Sequence, residues 1–366
     1  MKIKALIASE AENSFTYSDV EIDTPKPDEI LVKIEAVGLC HTDILARQGL
    51  FQLGGDAVLG HEGAGIVEQI GEHVTKVKVG DRVGISFRSC GECPKCESQL
   101  AAYCQEFVPL NIIGSRPDGS STLKTSQQDL KSNFFGQSSF ATHALTYETN
   151  VVALPDDLPF EVAAPLGCGV QTGAGTVLIN LKCEAGSSLI VTGCGVVGLS
   201  AVMASKINGC QTIIAIEPHA ARREMALEVG ATHAIDPYEH KDFEAAIRAI
   251  VPSGVNYAVD TTGRRQTLDN LTRCFTTQGT LAMVGMTNPE DDFTCTGMQF
   301  LASGLTVKGI IEGDSHPDKF IPELIGYYKA GQLPIDKMIK TYPLKDIDTA
   351  VHEHHVGECI KAVLIP

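Results

Sequence analysis

Apolar and polar positions alternate over Ile30-Leu31-Val32-Lys33-Ile34-Glu35-Ala36-Val37, and the same period recurs at Ala64-Gly65-Ile66-Val67-Glu68-Gln69-Ile70 and Asp81-Arg82-Val83-Gly84-Ile85. A period of two predicts strands, and Gly-centred turns such as Lys78-Val79-Gly80-Asp81 separate them. Residues 1–150 therefore read as β-rich, apart from a polar, Ser-rich stretch from Ser115 to Ser132 around Arg116-Pro117-Asp118-Gly119, which predicts a surface loop. Near Leu158 the texture changes. Ala-rich helical segments now alternate with apolar runs: Ser188-Leu189-Ile190-Val191-Thr192, Thr212-Ile213-Ile214-Ala215-Ile216, Tyr257-Ala258-Val259-Asp260 and Thr280-Leu281-Ala282-Met283-Val284. Strands alternating with helices predict βαβ units and a parallel sheet covered on both faces. After about Leu305 the texture is mixed again, and the tail Ile360-Lys361-Ala362-Val363-Leu364-Ile365 is expected to fold back on the first domain.

Composition changes this picture only at its edges. The 366 residues suffice for two cores, and 43% hydrophobic with 20% charged residues is ordinary for a soluble globular protein. A formal charge of −16 argues against nucleic acid or an anionic membrane surface as partner. No run approaches the roughly 20 apolar residues of a membrane span, and the opening residues are too short an apolar run for a signal peptide. Twelve cysteines without such a leader point to reduced thiols and a cytoplasmic protein, so clustered cysteines are tested first as metal ligands.

Cys90-x2-Cys93-x2-Cys96-x7-Cys104 is the most specific pattern in the chain. Four thiolates so close can wrap one ion tetrahedrally and leave it no open position, which makes a structural zinc site. An iron–sulfur cluster is the rival, and the absence of a Pro after the last Cys and of a second cluster favours zinc. The remaining cysteines, apart from two, are scattered.

Those two are Cys40, in Gly38-Leu39-Cys40-His41-Thr42-Asp43 where the first long strand empties into a loop, and Cys168, in Pro165-Leu166-Gly167-Cys168-Gly169. With His61 of Gly60-His61-Glu62-Gly63-Ala64-Gly65 they supply two thiolates and one imidazole, a set suited to a catalytic zinc with one position left open. Such an ion acts as a Lewis acid on an alcohol oxygen while hydride passes to a nicotinamide. Thr42 is the candidate to take the alcohol proton. Asp43 is the candidate to orient the His61 imidazole. His41 would face a pyrophosphate, and Glu62 either lies behind the metal or pairs with a cation.

Val191-Thr192-Gly193-Cys194-Gly195-Val196-Val197-Gly198 follows a strand and opens a helix, the context in which Gly-x-Gly-x-x-Gly predicts dinucleotide binding. Gly193 permits the turn, Gly195 lets the backbone approach a pyrophosphate, and Gly198 lets the helix pack on the strand. The next strand ends at Glu217, whose carboxylate would meet ribose hydroxyls and repel a 2′-phosphate, favouring NAD over NADP. Arg222 either contacts the ribose or is a solvated helix charge.

Together these residues resemble the zinc-dependent medium-chain alcohol dehydrogenases over essentially the whole chain. Within that family, Gln137-Ser138-Ser139-Phe140-Ala141-Thr142-His143-Ala144 and Pro165–Gly175 resemble the aryl (benzyl) alcohol dehydrogenases. The resemblance implies a GroES-like β-rich catalytic domain carrying both zinc sites, over 1–160 and 305–366, and a Rossmann doubly wound parallel-sheet domain over 161–304. It also implies two zinc ions per subunit, NAD, a small alcohol or aldehyde as substrate, and a homodimer or homotetramer. Thr172 and Val197 would pack against the nicotinamide, and Lys361 would neutralise pyrophosphate charge. Many family members carry a His two residues after the acidic position of Cys-x-x-Asp as the outer end of a proton relay; here Leu45 stands there, so the proton is expected to leave through Thr42, the ribose hydroxyl and water. Phe51 and Phe87 either line an aromatic pocket or belong to the core. The runner-up within the fold is a glutathione-dependent formaldehyde dehydrogenase, for which Arg88 and Arg116 are the candidate cations at the pocket mouth. A zinc-free NADPH reductase or a non-catalytic protein of the same fold is opposed by the cysteine sets and by Glu217.

Overall fold

The strand Glu29–Gly38 is the centre of the first of two compact units, which comprises Met1–Cys168, His316–Ile325 and Ile335–Pro366. In the computed structural model every residue is described except 10, 241, 288, 289 and 291 and the side chain of 299. The central strand pairs antiparallel with Gly63–Ile70, with His143–Tyr147 and with the C-terminal strand Lys361–Ile365. These belong to a seven-stranded sheet that continues to Ile339–Pro343 at one edge and through Arg82–Ile85 to Val151–Ala153 at the other. A four-stranded sheet of Ala57–Val58, Lys2–Ser9, Ser14–Ile22 and Leu123–Lys124 shares its core, where Leu6 and Phe140 meet Ile30 and Leu145. Alternation predicts one wet face for the central strand, yet only Lys33 is exposed and Glu35 half-buried. Both faces are covered, so the alternation marks register rather than solvent.

The stretch from Ser115 to Ser132 departs further from expectation. It contains the strand Leu123–Lys124, which pairs with Ile22 and Glu21, and its Arg116 is only 3% exposed. Arg116 Nε donates to Glu29 Oε1 at 2.6 Å, its Nη2 to Glu29 Oε2 at 3.0 Å and its Nη1 to Asp23 Oδ2 at 2.9 Å. Tyr147 Oη donates to the same carboxylate at 3.2 Å. A polar sequence is here a buried charge network, because a guanidinium with this many acceptors can leave water.

The second unit comprises Gly169–Ser315 and Gly326–Pro334. Its six strands are all parallel and run His233–Ile235, Thr212–Ile216, Ser188–Thr192, Val255–Asp260, Phe275–Met283, Thr306–Gly309 across the sheet. In chain order this is 3-2-1-4-5-6, the doubly wound arrangement whose ligand crevice opens at the C-terminal ends of the first and fourth strands. The expected return to the first domain at Leu305 comes later, at His316, because Thr306–Gly309 pairs in register with Thr280–Met283 as the sixth strand. Among the described residues no single helix is long and apolar enough to cross a membrane.

Replacing Arg116 by Ala would leave the Glu29 carboxylate buried without its main partner. We expect a loss of about 3–5 kcal/mol of unfolding free energy, read by urea titration. A change below about 1 kcal/mol would show that the pair is no more than a surface contact.

Candidate active site and metal centres

Among the described residues two clusters of ligating side chains form, both in the first unit, and none of the twelve cysteines is in a disulfide. The first is the lobe Cys90, Cys93, Cys96 and Cys104. Cys93 Sγ lies 3.6 Å from Cys96 Sγ and 4.0 Å from Cys104 Sγ, and Cys90 Sγ lies 3.9 Å from Cys96 Sγ. Four sulfurs bound to one ion at about 2.3 Å stand about 3.8 Å apart at the corners of a tetrahedron, so the observed spacing fits a closed metal site. Pro94 at the first position of the short helix Pro94–Glu97 fixes the turn between Cys93 and Cys96. The Cys93 and Cys90 amides each face a sulfur at 3.3 Å, of Cys90 and Cys104 respectively.

In the second cluster, ligand atoms of Cys40, His61, Glu62 and Cys168 lie within 4.8 Å of one another. Cys40 leaves the central strand as N-cap of the helix His41–Arg47. Asp43, in the first turn of that helix, is wholly buried. Its Oδ2 accepts from the Cys40 amide at 3.1 Å, its Oδ1 accepts from the Gly60 amide at 3.0 Å, and the same Oδ1 is 2.9 Å from His61 Nδ1. The carboxylate thus ties both ligand loops together and fixes the imidazole, leaving His61 Nε2 buried with no hydrogen-bond partner. A bare ring nitrogen beside two thiols is the donor set of a zinc site. The Cys40 thiol is held well below its ordinary range, chiefly by its contact with Cys168 and despite burial. Burial would lower the His61 imidazole, but the Asp43 carboxylate and the Cys40 thiolate outweigh it and hold the ring well above its ordinary value.

Behind these ligands Glu62 Oε2 meets Lys361 Nζ at 2.5 Å, and Lys361 also donates to Leu39 O at 2.9 Å. Glu62 forms the ion pair and also lies with the ligand atoms of Cys40, His61 and Cys168, so its two expected roles are compatible. Lys361 is 1% exposed. Its ammonium is engaged by the Glu62 carboxylate and the Leu39 carbonyl. Gly38 is required here, since a Cβ would stand 1.9 Å from Glu62 Oε2. Thr42 is half-buried with its hydroxyl 3.6 Å from Cys40 Sγ, whereas His41 is exposed.

An aromatic wall covers His61. Phe135 stacks on the imidazole with centroids 4.5 Å apart and 26° between planes, and Phe134 meets it edge-on at 5.8 Å. Phe51 extends the wall against Phe134 at 6.1 Å, while Phe87 is fully buried core packed on Phe107. Sequence reading missed Phe134 and Phe135; the only hint was a run of two aromatics just before Gln137. Gln137 is a brace: its Nε2 donates to His61 O at 2.9 Å and its Oε1 accepts from Gly63 N at 3.0 Å. Arg88 lies on the Tyr147 ring at 3.3 Å and Arg116 is spent on Glu29, so neither candidate cation is available to a substrate.

In the second unit Gly193 takes φ +82 at the end of Ser188–Thr192, and the helix Val196–Ile207 starts from Gly195. A Cβ on Gly198 would stand 1.8 Å from Gly193 O, whereas one on Gly195 would meet open space. Packing therefore requires a glycine at 198 but not at 195. Glu217 Oε2 accepts from the Cys194 amide at 2.7 Å and Oε1 from the His219 amide at 3.0 Å, which aims the carboxylate at the turn. Beside it a cleft of about 360 Å³ is lined by Ile216, Pro218, Tyr238, Thr262 and Arg264 among others. Arg222 is half-buried on the neighbouring helix Ala220–Val229, and Val197 is half-buried in the turn.

Comparison with known proteins accords with this geometry. Residues 26–156 match the alcohol dehydrogenase GroES-like domain and residues 196–325 the zinc-binding dehydrogenase domain. A geraniol dehydrogenase of Castellaniella defragrans is 42% identical over 99% of this chain and 97% of its own. The chain belongs to the zinc-dependent medium-chain alcohol dehydrogenases. Benzyl alcohol dehydrogenase of Acinetobacter calcoaceticus has the same structure, with a TM-score of 0.96 at 38% identity over 100% of this chain and 99% of that one. S-(hydroxymethyl)glutathione dehydrogenase of Candida maltosa is 32% identical over 99% of this dehydrogenase and 96% of its own chain. The protein is thus an oxidoreductase acting on small alcohols and aldehydes.

Asp43→Asn would keep the size of the side chain and weaken its hold on His61. We expect 10- to 100-fold weaker zinc binding at Cys40, His61 and Cys168, read by chelator competition on the holoenzyme. Unchanged affinity would remove Asp43 from the metal's support.

Proposed function

We propose that this dehydrogenase catalyses the reversible, NAD-linked oxidation of primary alcohols whose carbinol carbon adjoins a flat unsaturated group, with benzyl-type alcohols foremost. The observation that supports this reading is half-buried Phe51, which packs on Phe134, one of two buried rings set against the His61 imidazole. Aromatic faces and edges favour a planar apolar body over a short alkyl chain. Benzyl alcohol and geraniol, named for two relatives, share a hydroxymethyl group on an sp² carbon. The engagement of Arg88 and Arg116 speaks against a glutathione conjugate.

Cys40, His61 and Cys168 would hold one zinc ion, and Cys90, Cys93, Cys96 and Cys104 a second. The first, when bound, supplies Lewis acidity to the alcohol or carbonyl oxygen. Thr42 would accept the alcohol proton at Oγ1 and release its own. With Leu45 beyond it, that proton would pass by the ribose hydroxyl to water. Glu217 would bind the ribose hydroxyls, the bare backbone at Gly195 the pyrophosphate, and Thr172 and Val197 the nicotinamide face. His41, exposed at the helix start, would meet phosphate charge, and half-buried Arg222 would reach the ribose. Twelve cysteines without a disulfide suit a reducing compartment such as the cytoplasm. A homodimer or homotetramer is favoured by apolar Met298 and Leu301, 69% and 80% exposed on the helix that precedes the edge strand Thr306–Gly309.

The assay is initial reduction of NAD and of NADP with benzyl alcohol, geraniol, ethanol, and formaldehyde plus glutathione. We expect benzyl alcohol and geraniol with NAD to exceed ethanol by at least about tenfold in kcat/KM, and NADP to be poor. Dominance of formaldehyde with glutathione, or equal turnover of NADP, would refute the substrate or the cofactor reading respectively.

Metal content tests the two ligand sets separately. Elemental analysis should give two zinc ions per chain, and Cys96→Ser should reduce this to one with a lower melting temperature. One ion on fully active wild-type protein would contradict the assignment.

A further inference from the structure

Glu312 follows the sixth strand of the parallel sheet, Thr306–Gly309, and is 8% exposed. Its Oε2 accepts from Gln171 Nε2 at 3.2 Å and from Thr172 Oγ1 at 3.3 Å. Ser315 Oγ donates to Gln171 Oε1 at 3.1 Å and to Glu312 O at 2.7 Å, which closes the network. The backbone that presents this carboxylate is left-handed at three consecutive residues, with φ +50 at Glu312, +66 at Gly313 and +54 at Asp314. Only the middle one is Gly, and a Cβ there would stand 2.4 Å from Gln171 O. Left-handed non-glycine residues are strained and persist where the surroundings impose them.

The topology says which part of a dinucleotide this loop would meet. Glu217 and the cleft of Ile216, Pro218 and Tyr238 occupy the half of the sheet edge given by Thr212–Ile216, where the adenosine belongs. The opposite half, Val255–Asp260 to Thr306–Gly309, is left for the nicotinamide. The helix Gly169–Gly175 packs on the glycine turn so closely that a Cβ on Gly173 would stand 1.9 Å from Val197 O. Thr172, Val197 and Glu312 are thereby brought to one place. With its hydroxyl held by Glu312, Thr172 has its methyl group left to meet a ring.

We infer that Glu312 is a positioning residue of the nicotinamide subsite, and that its carboxylate favours the oxidised, positively charged ring over the reduced, neutral one. This rests on the reading that the second unit binds NAD. A negative charge beside the subsite stabilises only the form that carries the positive charge, whereas its hydrogen bonds to Thr172 and Gln171 serve both forms alike.

The test is titration of the zinc-loaded enzyme with NADH by fluorescence, and with NAD⁺ by competition. Glu312→Gln keeps the size and an acceptor oxygen but removes the charge. The ratio Kd(NAD⁺)/Kd(NADH) should rise about tenfold, the order expected for one charge in partly screened surroundings, with little change in KM for the alcohol. An unchanged ratio, or an equal loss for both nucleotides, overturns the inference and leaves NAD binding standing. Thr172→Val, which removes a donor and keeps the carboxylate, should weaken both nucleotides and retain the ratio; loss of the ratio there assigns the preference to the hydroxyl and overturns the inference as well. Wild-type protein that binds neither nucleotide refutes the NAD reading itself, and the role of Glu312 with it.

Discussion

Two thiolates and an imidazole can be buried together only if their charge and their lone pairs are answered from every side. The first unit does this in layers. Asp43 answers the imidazole at Nδ1 and both ligand-bearing loops through the Cys40 and Gly60 amides. Lys361 lies next, paired with Glu62 and anchored on Leu39 O. The Glu62 carboxyl is pushed up by burial and pulled back by the Lys361 ammonium, so the pair is stable only as a pair. None of this fits unless position 38 lacks a side chain, because the carboxylate occupies the space of its Cβ. The C-terminal strand is therefore part of the metal site: Lys361 opens it, and Val363 and Leu364 pair with Gly38 and Val37 of the strand that ends in Cys40.

Local chemistry was legible in the sequence where it is carried by contiguous residues. The four-cysteine lobe closes within fifteen positions, so its spacing alone specifies a tetrahedron. The glycine turn is read from three residues whose roles differ by what lies near each absent Cβ. The strands of the parallel sheet follow from short apolar runs, two of them, Ser188–Thr192 and Thr212–Ile216, with the expected ends. What the sequence hid is non-local. Arg116 looks like a loop cation until Glu29, 87 positions away, is set beside it. Lys361 gives no sign in the sequence that Leu39, 322 positions away, accepts from it. Thr306–Gly309 is too short to be told from loop without the register that makes it a sixth strand.

The same division explains why the candidate metal ligands were easier to find than the rings around His61. Ligands are rare residue types in glycine-rich settings, and Phe is a common core residue whose function depends on which neighbour it faces. Phe87 and Phe51 illustrate this: the first is sealed in the core against Phe107, the second is half-buried and packs on Phe134, the ring that stands edge-on to His61. The subfamily segment beginning at Gln137 was legible as resemblance only; its physical content is that one amide side chain bonds His61 O, Ser86 O and Gly63 N at once.

The wall is also held at a cost, which bears on why it is there. Asn133, Phe135, Gly136 and Ser138 all take positive φ, at +68, +51, +65 and +55. Asn and Gly accept this readily, but a bulky Phe does not. The strain is offset by Ser138 Oγ, which donates to Val58 O at 2.5 Å and accepts from the Phe134 amide at 2.9 Å, and by Asn150 Nδ2, which donates to Gly136 O at 3.2 Å. A chain that needed only a filled core could place an apolar residue here in an ordinary conformation. The left-handed turn instead brings two consecutive rings onto one imidazole, one by its face and one by its edge, so that the ligand ring is fixed on three sides: carboxylate at Nδ1, rings over its plane and edge, and backbone held by Gln137. A ring nitrogen so restrained has one orientation left.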